Sequence, residues 1–278
     1  MLLIPAVLSA ANPTVSPLVS PTVTEMSLTT PDGFVLKGTL TVPAAPAGKR
    51  HARPRRCPVV LLAHQFMADR GGWKPLAEKL NAAGIATLAL DLRGHGASTQ
   101  QAGKEVKVTD DFLASAKAVS LDKIPADLTQ AAAWLRHQPG IDGRRLGLAG
   151  SSVGAFATLM ASAKIRPIAV LALSPAGNGA FGPNATPALA RAVETAKSAV
   201  MVMASRQDED ANQNATALRP IPGVYARFAD GKEHGFDYLA AQSDTMAVFL
   251  TTYLKDHARK PAAPKSEEPT SNEGVSAN

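Results

Sequence analysis

Short apolar runs recur along the chain and alternate with segments whose apolar residues return every three or four positions. A continuous apolar run of this length is typical of a strand that is buried on both faces of a sheet. The runs occupy residues 59–63, 85–90, 146–149, 168–173, 199–204 and 224–228. The pattern predicts that these segments are the inner strands of one sheet.

Helical periodicity fills the intervals between these runs. Residues 73–83 place Leu76 and Leu80 on one face and end at Gly84, a residue that commonly terminates helices. The same reasoning predicts helices over residues 126–137, 153–163 and 245–253, with a further helix after about residue 186. Strand and helix therefore follow one another through most of the chain.

Residues 26–29 and 34–41 flank Pro31-Asp32-Gly33, a turn sequence, and predict an antiparallel hairpin. A hairpin followed by β-α alternation indicates an α/β fold, with a mostly parallel sheet of eight strands and helices on both faces. In such sheets ligands bind beyond the carboxyl ends of the strands. We expect the folded domain to cover residues 25–258, and the polar tail, 259–278, to be disordered.

Residues 1–24 form an apolar and then Pro/Ser/Thr-rich segment that we interpret as signal-like or flexible. The apolar stretch over residues 1–11 suits the core of a signal peptide and is too short to span a bilayer, so no stable membrane span is expected. No basic residue precedes it. Export to the periplasm or medium is the expectation, and a cytoplasmic location is the alternative.

Charge and cysteine content change this picture little. The formal net charge is +6, and five basic residues fall within residues 49–56. We interpret that run as a solvated loop and expect no nucleic-acid partner, because Pro54 and the lack of interleaved aromatic residues argue against a surface for stacking bases. Cys57 is the only cysteine of the sequence, which excludes an intramolecular disulfide.

Candidate chemistry begins at Gly150-Ser151-Ser152-Val153-Gly154, which joins a predicted strand to a predicted helix. The G-x-S-x-G pattern in this context builds a sharp turn that exposes a nucleophilic serine, and its glycines leave room beside that serine. Ser152 fits the pattern. Ser151 does not, because glycines would be needed in place of Ala149 and Val153.

A serine nucleophile needs a base and an acid that orients the base, which follow it in this type of fold in the order acid, then histidine. His234 and His257 are the histidines after Ser152, and His234 is favoured because it follows a predicted strand. Asp208 is the favoured acid and Asp210 the alternative, since both follow residues 199–204.

An acyl-transfer site also needs two backbone N–H groups that bind the oxyanion. Val153, directly after the nucleophile, is expected to supply one. The second is expected from the loop after residues 59–63, where Phe66 is favoured and Gln65 is the alternative.

The string Asp91-Leu92-Arg93-Gly94-His95-Gly96-Ala97-Ser98 is similar to one that recurs in the α/β-hydrolase superfamily, and the chain resembles that superfamily over most of residues 30–257. The closest resemblance is to its dienelactone-hydrolase-like and serine-aminopeptidase-like branch. The resemblance implies that His95 is structural and that Asp208 and His234 complete a triad. Two features depart from the branch: a serine replaces the cysteine of dienelactone hydrolases, and His64-Gln65 replaces the usual His-Gly.

The motifs and the resemblance together predict a serine esterase that acts on a small-molecule ester and needs no cofactor and no metal. They also predict little or no cap. We expect His64 and Gln65 to lie next to the substrate, and Phe112 and Leu113 to lie near the mouth of the site. An amidase, a peptidase or a perhydrolase could use the same triad, and a non-catalytic binding module could share the fold. The acyl group and the oligomeric state stay open.

Overall fold

The computed structural model describes residues 20–44 and 56–256. The signal-like stretch over residues 1–11, nearly all of the basic run and the polar tail lie outside these residues, as does His257. The first strand begins at Thr22, so it already includes the last part of the segment that we expected to precede the domain.

The predicted hairpin is present. Strand β1 (Thr22–Thr29) pairs antiparallel with β2 (Phe34–Val42) across the Pro31-Asp32-Gly33 turn. Along β2, alternate side chains are buried because successive residues of a strand point to opposite faces. The hairpin therefore closes one end of the sheet and covers part of its core.

Every predicted inner strand is present, and two short strands raise the number in the described sheet from the expected eight to ten. The remaining strands in chain order are β3 (Cys57–Ala63), β4 (Ala86–Leu90), β5 (Gln100–Gln101), β6 (Lys104–Glu105), β7 (Ile141–Ser151), β8 (Ala169–Leu173), β9 (Ala199–Ser205) and β10 (Val224–Ala229). Strands β5 and β6 form a two-residue hairpin that has no apolar run, so hydrophobic periodicity could not reveal it.

The sheet order is β10-β9-β8-β7-β3-β4-β2-β5-β6, with β1 on the other edge of β2. Strands β3, β4, β7, β8, β9 and β10 run parallel, and the hairpin strands are antiparallel to their neighbours. Because parallel strands share one direction, the loops that leave their carboxyl ends lie along one edge of the sheet. These loops carry Ser152, Asp208, His234 and Phe66.

Helices cover both faces of the sheet. They are α1 (Lys74–Ala82), α2 (Phe112–Val119), α3 (Ile124–Arg136), α4 (Val153–Ile165), α5 (Asn178–Phe181), α6 (Ala185–Ala196), α7 (Glu209–Leu218) and α8 (Asp237–Asp256). Helices α1 and α8 pack over one apolar core, and α3, α4, α6 and α7 pack over the other. Between β8 and β9 the chain forms only α5 and α6, so the fold has little or no cap, as predicted.

Helix α7 shows why some elements escaped prediction. Its buried residues are Ala211, Asn214, Ala215 and Leu218. Because most of them are small or polar, the sequence shows no clear apolar periodicity here. No helix in the described ranges is both long enough and apolar enough to cross a membrane.

Candidate active site

Ser152 occupies a strained turn between β7 and α4. Its backbone has φ 54° and ψ −120°, a region that residues with a side chain rarely adopt and that costs on the order of 1–3 kcal/mol. The turn is held by the Ser152 N–H, which donates to the carbonyl oxygen of Leu173 at 2.8 Å, and by the Ser152 carbonyl, which accepts from Phe156. The side chain lies at the edge of the sheet where the ligand is expected.

The two glycines of the pattern are required by close backbone contacts. A Cβ atom on Gly150 would lie 2.4 Å from the carbonyl oxygen of Gly154, and one on Gly154 would lie 2.3 Å from the carbonyl oxygen of His64. Helix α4 therefore begins directly against the end of β3. This contact brings the Ser152 turn and the loop after β3 together.

The structure brings the predicted acid and base into direct contact. Asp208 follows β9, His234 follows β10, and Nδ1 of His234 lies 2.6 Å from Oδ2 of Asp208. Since an ionised carboxylate can only accept, the histidine is assigned with its proton on Nδ1, which leaves Nε2 free to accept a proton. The Asp208 side chain is 13% exposed and the His234 side chain 38% exposed.

The alternative acid is engaged elsewhere. Oδ2 of Asp210 lies 3.4 Å from the N–H of Gly177, in the loop after β8, and makes no hydrogen bond to His234 among the described contacts. His95, which the resemblance assigned to a structural role, is 3% exposed and bonds through Nδ1 to the Arg93 carbonyl oxygen. Neither residue competes with the Asp208–His234 pair.

The loop that carries His234 is anchored to the sheet by buried hydroxyl groups. The Gly235 N–H donates to Oγ of Ser174 at 3.0 Å. Ser205 Oγ donates to Glu233 at 2.9 Å, so it accepts the 2.7 Å bond from the Tyr238 hydroxyl. Burial raises the pKa of Tyr238, which keeps this hydroxyl a donor. Sequence patterns could not reveal this network, because its members come from the ends of β8 and β9, the loop after β10 and the start of α8.

The expected oxyanion donors lie in the two segments that the glycine contacts bring together. Val153 is the first residue of α4, where the first N–H groups have no partner within the helix. Within the described chain, the N–H groups of Phe66 and Gln65 donate to no other residue. Both candidates of the β3 loop therefore keep an available backbone donor.

Both residues that we expected next to the substrate, His64 and Gln65, use their side chains in hydrogen bonds within the protein. His64 is fully buried: its Nε2 accepts from the Leu92 N–H at 2.9 Å, so its Nδ1 donates to the Gln65 carbonyl oxygen at 2.7 Å. Burial and neighbouring His95 lower the pKa of His64 to about 3, so it is neutral. Both ring nitrogens of His64 are therefore occupied, one of them by Leu92, 28 positions further along the chain.

The side chain of Gln65 also has partners within the protein. Its Oε1 accepts from Ser151 Oγ and from the Phe236 N–H, each at 2.9 Å. The side chain thus lies between the Ser152 turn and the loop that carries His234.

A buried ion pair supports the Asp91–Ser98 segment. Arg93, 1% exposed, contacts Asp127 with two nitrogens at 2.7 and 2.8 Å and reaches Asp32 at 3.0 Å. Burial opposes the charge on Asp32, but hydrogen bonds from Arg93, Thr30 and Lys123 lower its pKa well below the usual range. These ion pairs hold the Asp91–Ser98 segment in place beneath the site, which agrees with a structural role for this segment.

Apolar side chains lie close to the Ser152 turn. The rings of Phe66 and Phe112 meet edge to face at 5.1 Å. Phe112 and Val153 also pack on Gly177, and Leu113, 63% exposed, packs on Gly179. The loop after β8 and the start of α2 thus form an apolar border beside Ser152.

The parallel sheet, the strained serine turn and the histidine–carboxylate pair define the class of protein as an α/β hydrolase. The model of the alpha/beta hydrolase family matches residues 59–266 of the sequence, and the chain belongs to that family. No curated protein sequence matches the chain.

Solved structures share the fold at low sequence identity. An acetyl xylan esterase from Paenibacillus sp. R4 has a TM-score of 0.65 and 18% identity, with 86% of each chain covered. Dienelactone hydrolase from Anabaena variabilis has a TM-score of 0.58 and 20% identity, over 85% of this chain and 98% of the other. Est1E from Butyrivibrio proteoclasticus, solved with ferulic acid, has a TM-score of 0.59 and 17% identity, over 84% and 100%. The chain is similar to these hydrolases in fold.

Proposed function

We propose that the protein is a serine hydrolase that cleaves carboxylic esters through an acyl-enzyme intermediate. The observation that carries the proposal is the 2.6 Å contact between His234 Nδ1 and Asp208 Oδ2, on the same sheet edge as the strained Ser152 turn. Ser152, His234 and Asp208 are the proposed nucleophile, base and orienting acid.

In the first step, Ser152 Oγ attacks the ester carbonyl carbon while Nε2 of His234 takes the hydroxyl proton. The carbonyl π electrons move to oxygen, and the proposed donors of that oxyanion are the N–H groups of Val153 and Phe66. The tetrahedral species collapses, the carbon–oxygen bond to the alcohol breaks, and His234 returns the proton to the leaving alkoxide.

In the second step, water attacks the Ser152 ester. His234 takes one proton from the water, the second tetrahedral species collapses, and Ser152 recovers its proton from His234. Asp208 holds the imidazole in the tautomer with the proton on Nδ1 and stabilises the imidazolium that forms twice in each cycle. The cycle uses side chains, backbone and water, and it calls for no metal and no organic cofactor.

Two observations support an ester substrate: the activities named for the structural relatives and the apolar border beside Ser152. Two of the three solved structures named above are an acetyl xylan esterase and Est1E with bound ferulic acid. Phe66 and Phe112 are partly exposed and Leu113 is exposed, so the apolar border beside Ser152 is open to solvent, which suits a hydrophobic acyl group.

Labelling with a fluorophosphonate tests the nucleophile. The wild type is expected to be labelled, Ser152→Ala not at all, and His234→Ala at a rate reduced by about 10³-fold or more, because removal of the base leaves only the residual effect of the site. Ser162→Ala is a matched control, since Ser162 is buried in α4 and bonds to the Leu159 carbonyl. An unlabelled wild type would exclude the serine-hydrolase proposal.

A second measurement tests the reaction type. Nitrophenyl esters and nitroanilides that carry the same acyl groups, from two to twelve carbons, are compared for kcat/KM. We expect esters to be cleaved and anilides to react at least 10²-fold more slowly. Equal rates would favour an amidase, and peracid formation from an ester and hydrogen peroxide in excess of hydrolysis would favour a perhydrolase.

A further inference from the structure

The side chain of Gln65 joins the two loops that carry the nucleophile and the base. We propose that Gln65 is a positioning residue that fixes His234 relative to Ser152, acting through Ser151 and Phe236. The inference rests on the proposed function, because it assigns Gln65 a role in the reaction of that same site.

The orientation of the Gln65 amide is determined by its partners. The Phe236 N–H is a backbone group that can only donate, so the atom 2.9 Å away must be the amide oxygen. The Ser151 hydroxyl donates to the same oxygen at 2.9 Å. Two donors occupy both lone pairs of Oε1, one from the residue before the nucleophile and one from two residues after the base.

Close packing leaves the histidine loop little freedom around this contact. Gly235 has φ +55°, and a Cβ atom there would lie 2.2 Å from Gln65 Oε1 and 2.5 Å from Ser151 Oγ. On its other side, the Gly235 N–H donates to Ser174. The backbone next to His234 is therefore held between the Gln65 amide and the end of β8.

The anchor is itself fixed. The Gln65 carbonyl oxygen accepts from His64 Nδ1 at 2.7 Å and from the Ala68 N–H at 3.2 Å. His64 is in turn held by the Leu92 N–H. The end of β3 and the Asp91–Ser98 segment thus hold Gln65 in place. The Oε1 atom of Gln65 in turn holds the His234 loop.

This geometry predicts that Oε1 of Gln65 affects the rate more than it affects substrate binding. Because both lone pairs of Oε1 are occupied, a hydrogen bond from a substrate would have to displace one of the two donors, and a buried donor left unpaired costs about 1–3 kcal/mol. A displacement of His234 by as little as 1 Å can cost about 10²-fold in rate. The expected consequence of losing Oε1 is therefore a lower kcat.

Two substitutions separate this role from a general structural one. Gln65→Met keeps the length and volume of the side chain but removes the acceptor, and we expect kcat to fall by about 10–100-fold with KM changed less than about twofold. Gln65→Glu keeps an oxygen that can accept both bonds, and we expect it to retain most of kcat.

Hydrogen exchange supplies a readout that does not depend on activity. The Phe236 amide should exchange faster in Gln65→Met and as slowly as in the wild type in Gln65→Glu. Gln213→Met is the matched control, because Gln213 is exposed on α7 and away from the histidine loop.

The outcomes are distinguishable. An unchanged kcat with unchanged Phe236 exchange in Gln65→Met overturns the inference, as does a raised KM with unchanged kcat, which would make Gln65 a substrate-binding residue. A loss of kcat in both variants, without rescue by Glu, also overturns it in favour of a structural role. A wild type that exchanges slowly at Phe236 but resists fluorophosphonate instead removes the proposed function, and the catalytic role of Gln65 with it.

Discussion

Oδ2 of Asp208 and Nδ1 of His234 are 2.6 Å apart, although the two residues follow different strands and are 26 positions apart in the sequence. Asp208 precedes α7 and is 13% exposed, whereas the imidazole is 38% exposed. A carboxylate that can only accept thus faces Nδ1 of a partly exposed imidazole. The carboxylate therefore favours the tautomer with the proton on Nδ1, which a general base requires.

The role of Asp208 is tested by Asp208→Asn. The amide can donate to Nδ1 and so favours the wrong tautomer of His234, with the proton on Nε2, and we expect kcat to fall by about 10³–10⁴-fold. Asp210→Asn is the matched control and should stay within a few-fold of the wild type, because Asp210 contacts the Gly177 N–H instead. Steady-state kinetics on a nitrophenyl ester measure both. A larger loss in Asp210→Asn would reverse the assignment.

The sheet and the Ser152 turn could be predicted because their signals are local. Continuous apolar runs mark the buried strands, and Gly150 and Gly154 mark the turn between two of them. Asp208 and His234 could be proposed for a similar reason, because each follows a predicted strand.

The surroundings of the site could not be predicted, because their signals are not local. The partner of His64 lies 28 positions away at Leu92, and Gln65 bonds across 86 and 171 positions to Ser151 and Phe236. An amide or imidazole next to a catalytic loop has the same sequence signature whether it faces a substrate or another loop. Only the fold decides which one it contacts.

Because of the close contact at Gly154, we expect Gly154→Ala to destabilise the protein, although alanine normally stabilises a helix relative to glycine. Alanine is normally preferred over glycine inside a helix by about 1 kcal/mol. In Gly154→Ala, however, the new Cβ would meet the backbone oxygens of His64 and Ala63 at 2.3 and 2.4 Å. Backbone atoms cannot rotate away, so the loop after β3 or helix α4 must shift. We expect a loss of about 3 kcal/mol or more in the free energy of unfolding, by analogy with severe overpacking.

Gly103→Ala is the control for this prediction. Gly103 has φ +79° and open space around it, so the substitution should cost only the backbone strain of about 1–2 kcal/mol. Urea unfolding measures both variants. If Gly154→Ala proved as stable as the wild type, the contact between the nucleophile turn and β3 would not be as close as described.

The buried, neutral His64 predicts that stability falls in mild acid. Burial and His95 lower its pKa from 6.5 to about 3 in the folded state. Below pH 6.5 the unfolded chain therefore binds a proton that the folded chain does not, so stability is full above pH 6.5 and is lost as the pH falls toward 3. Between pH 7.5 and pH 5 this one group should remove about 2 kcal/mol of unfolding free energy.

His64→Gln isolates that contribution. Glutamine does not titrate, so the variant is expected to be less stable at pH 7.5 but to lose about 2 kcal/mol less than the wild type on going to pH 5. Urea unfolding at a series of pH values gives both quantities. Parallel stability curves for the two proteins would show that His64 is not the group that titrates.

For the ion pair beneath the Asp91–Ser98 segment, we expect the loss of one partner to reduce the free energy of unfolding more than the loss of both. Arg93 and Asp127 are 1% and 4% exposed and share two hydrogen bonds. In Arg93→Met, Asp127 keeps its buried charge without a partner, and we expect a loss of about 3–5 kcal/mol in unfolding free energy. In the double variant Arg93→Met, Asp127→Leu both charges are gone, so about half of that loss or more should be recovered.

The exposed Arg144 serves as the control for Arg93, because its side chain is 97% exposed and lies 3.9 Å from Asp142. Arg144→Met should change the unfolding free energy by less than about 0.5 kcal/mol, as exposed pairs contribute little. Arg93 also contacts Asp32, so recovery in the double variant should be incomplete. A double variant less stable than Arg93→Met would mean that Asp127 has a stabilising partner other than Arg93.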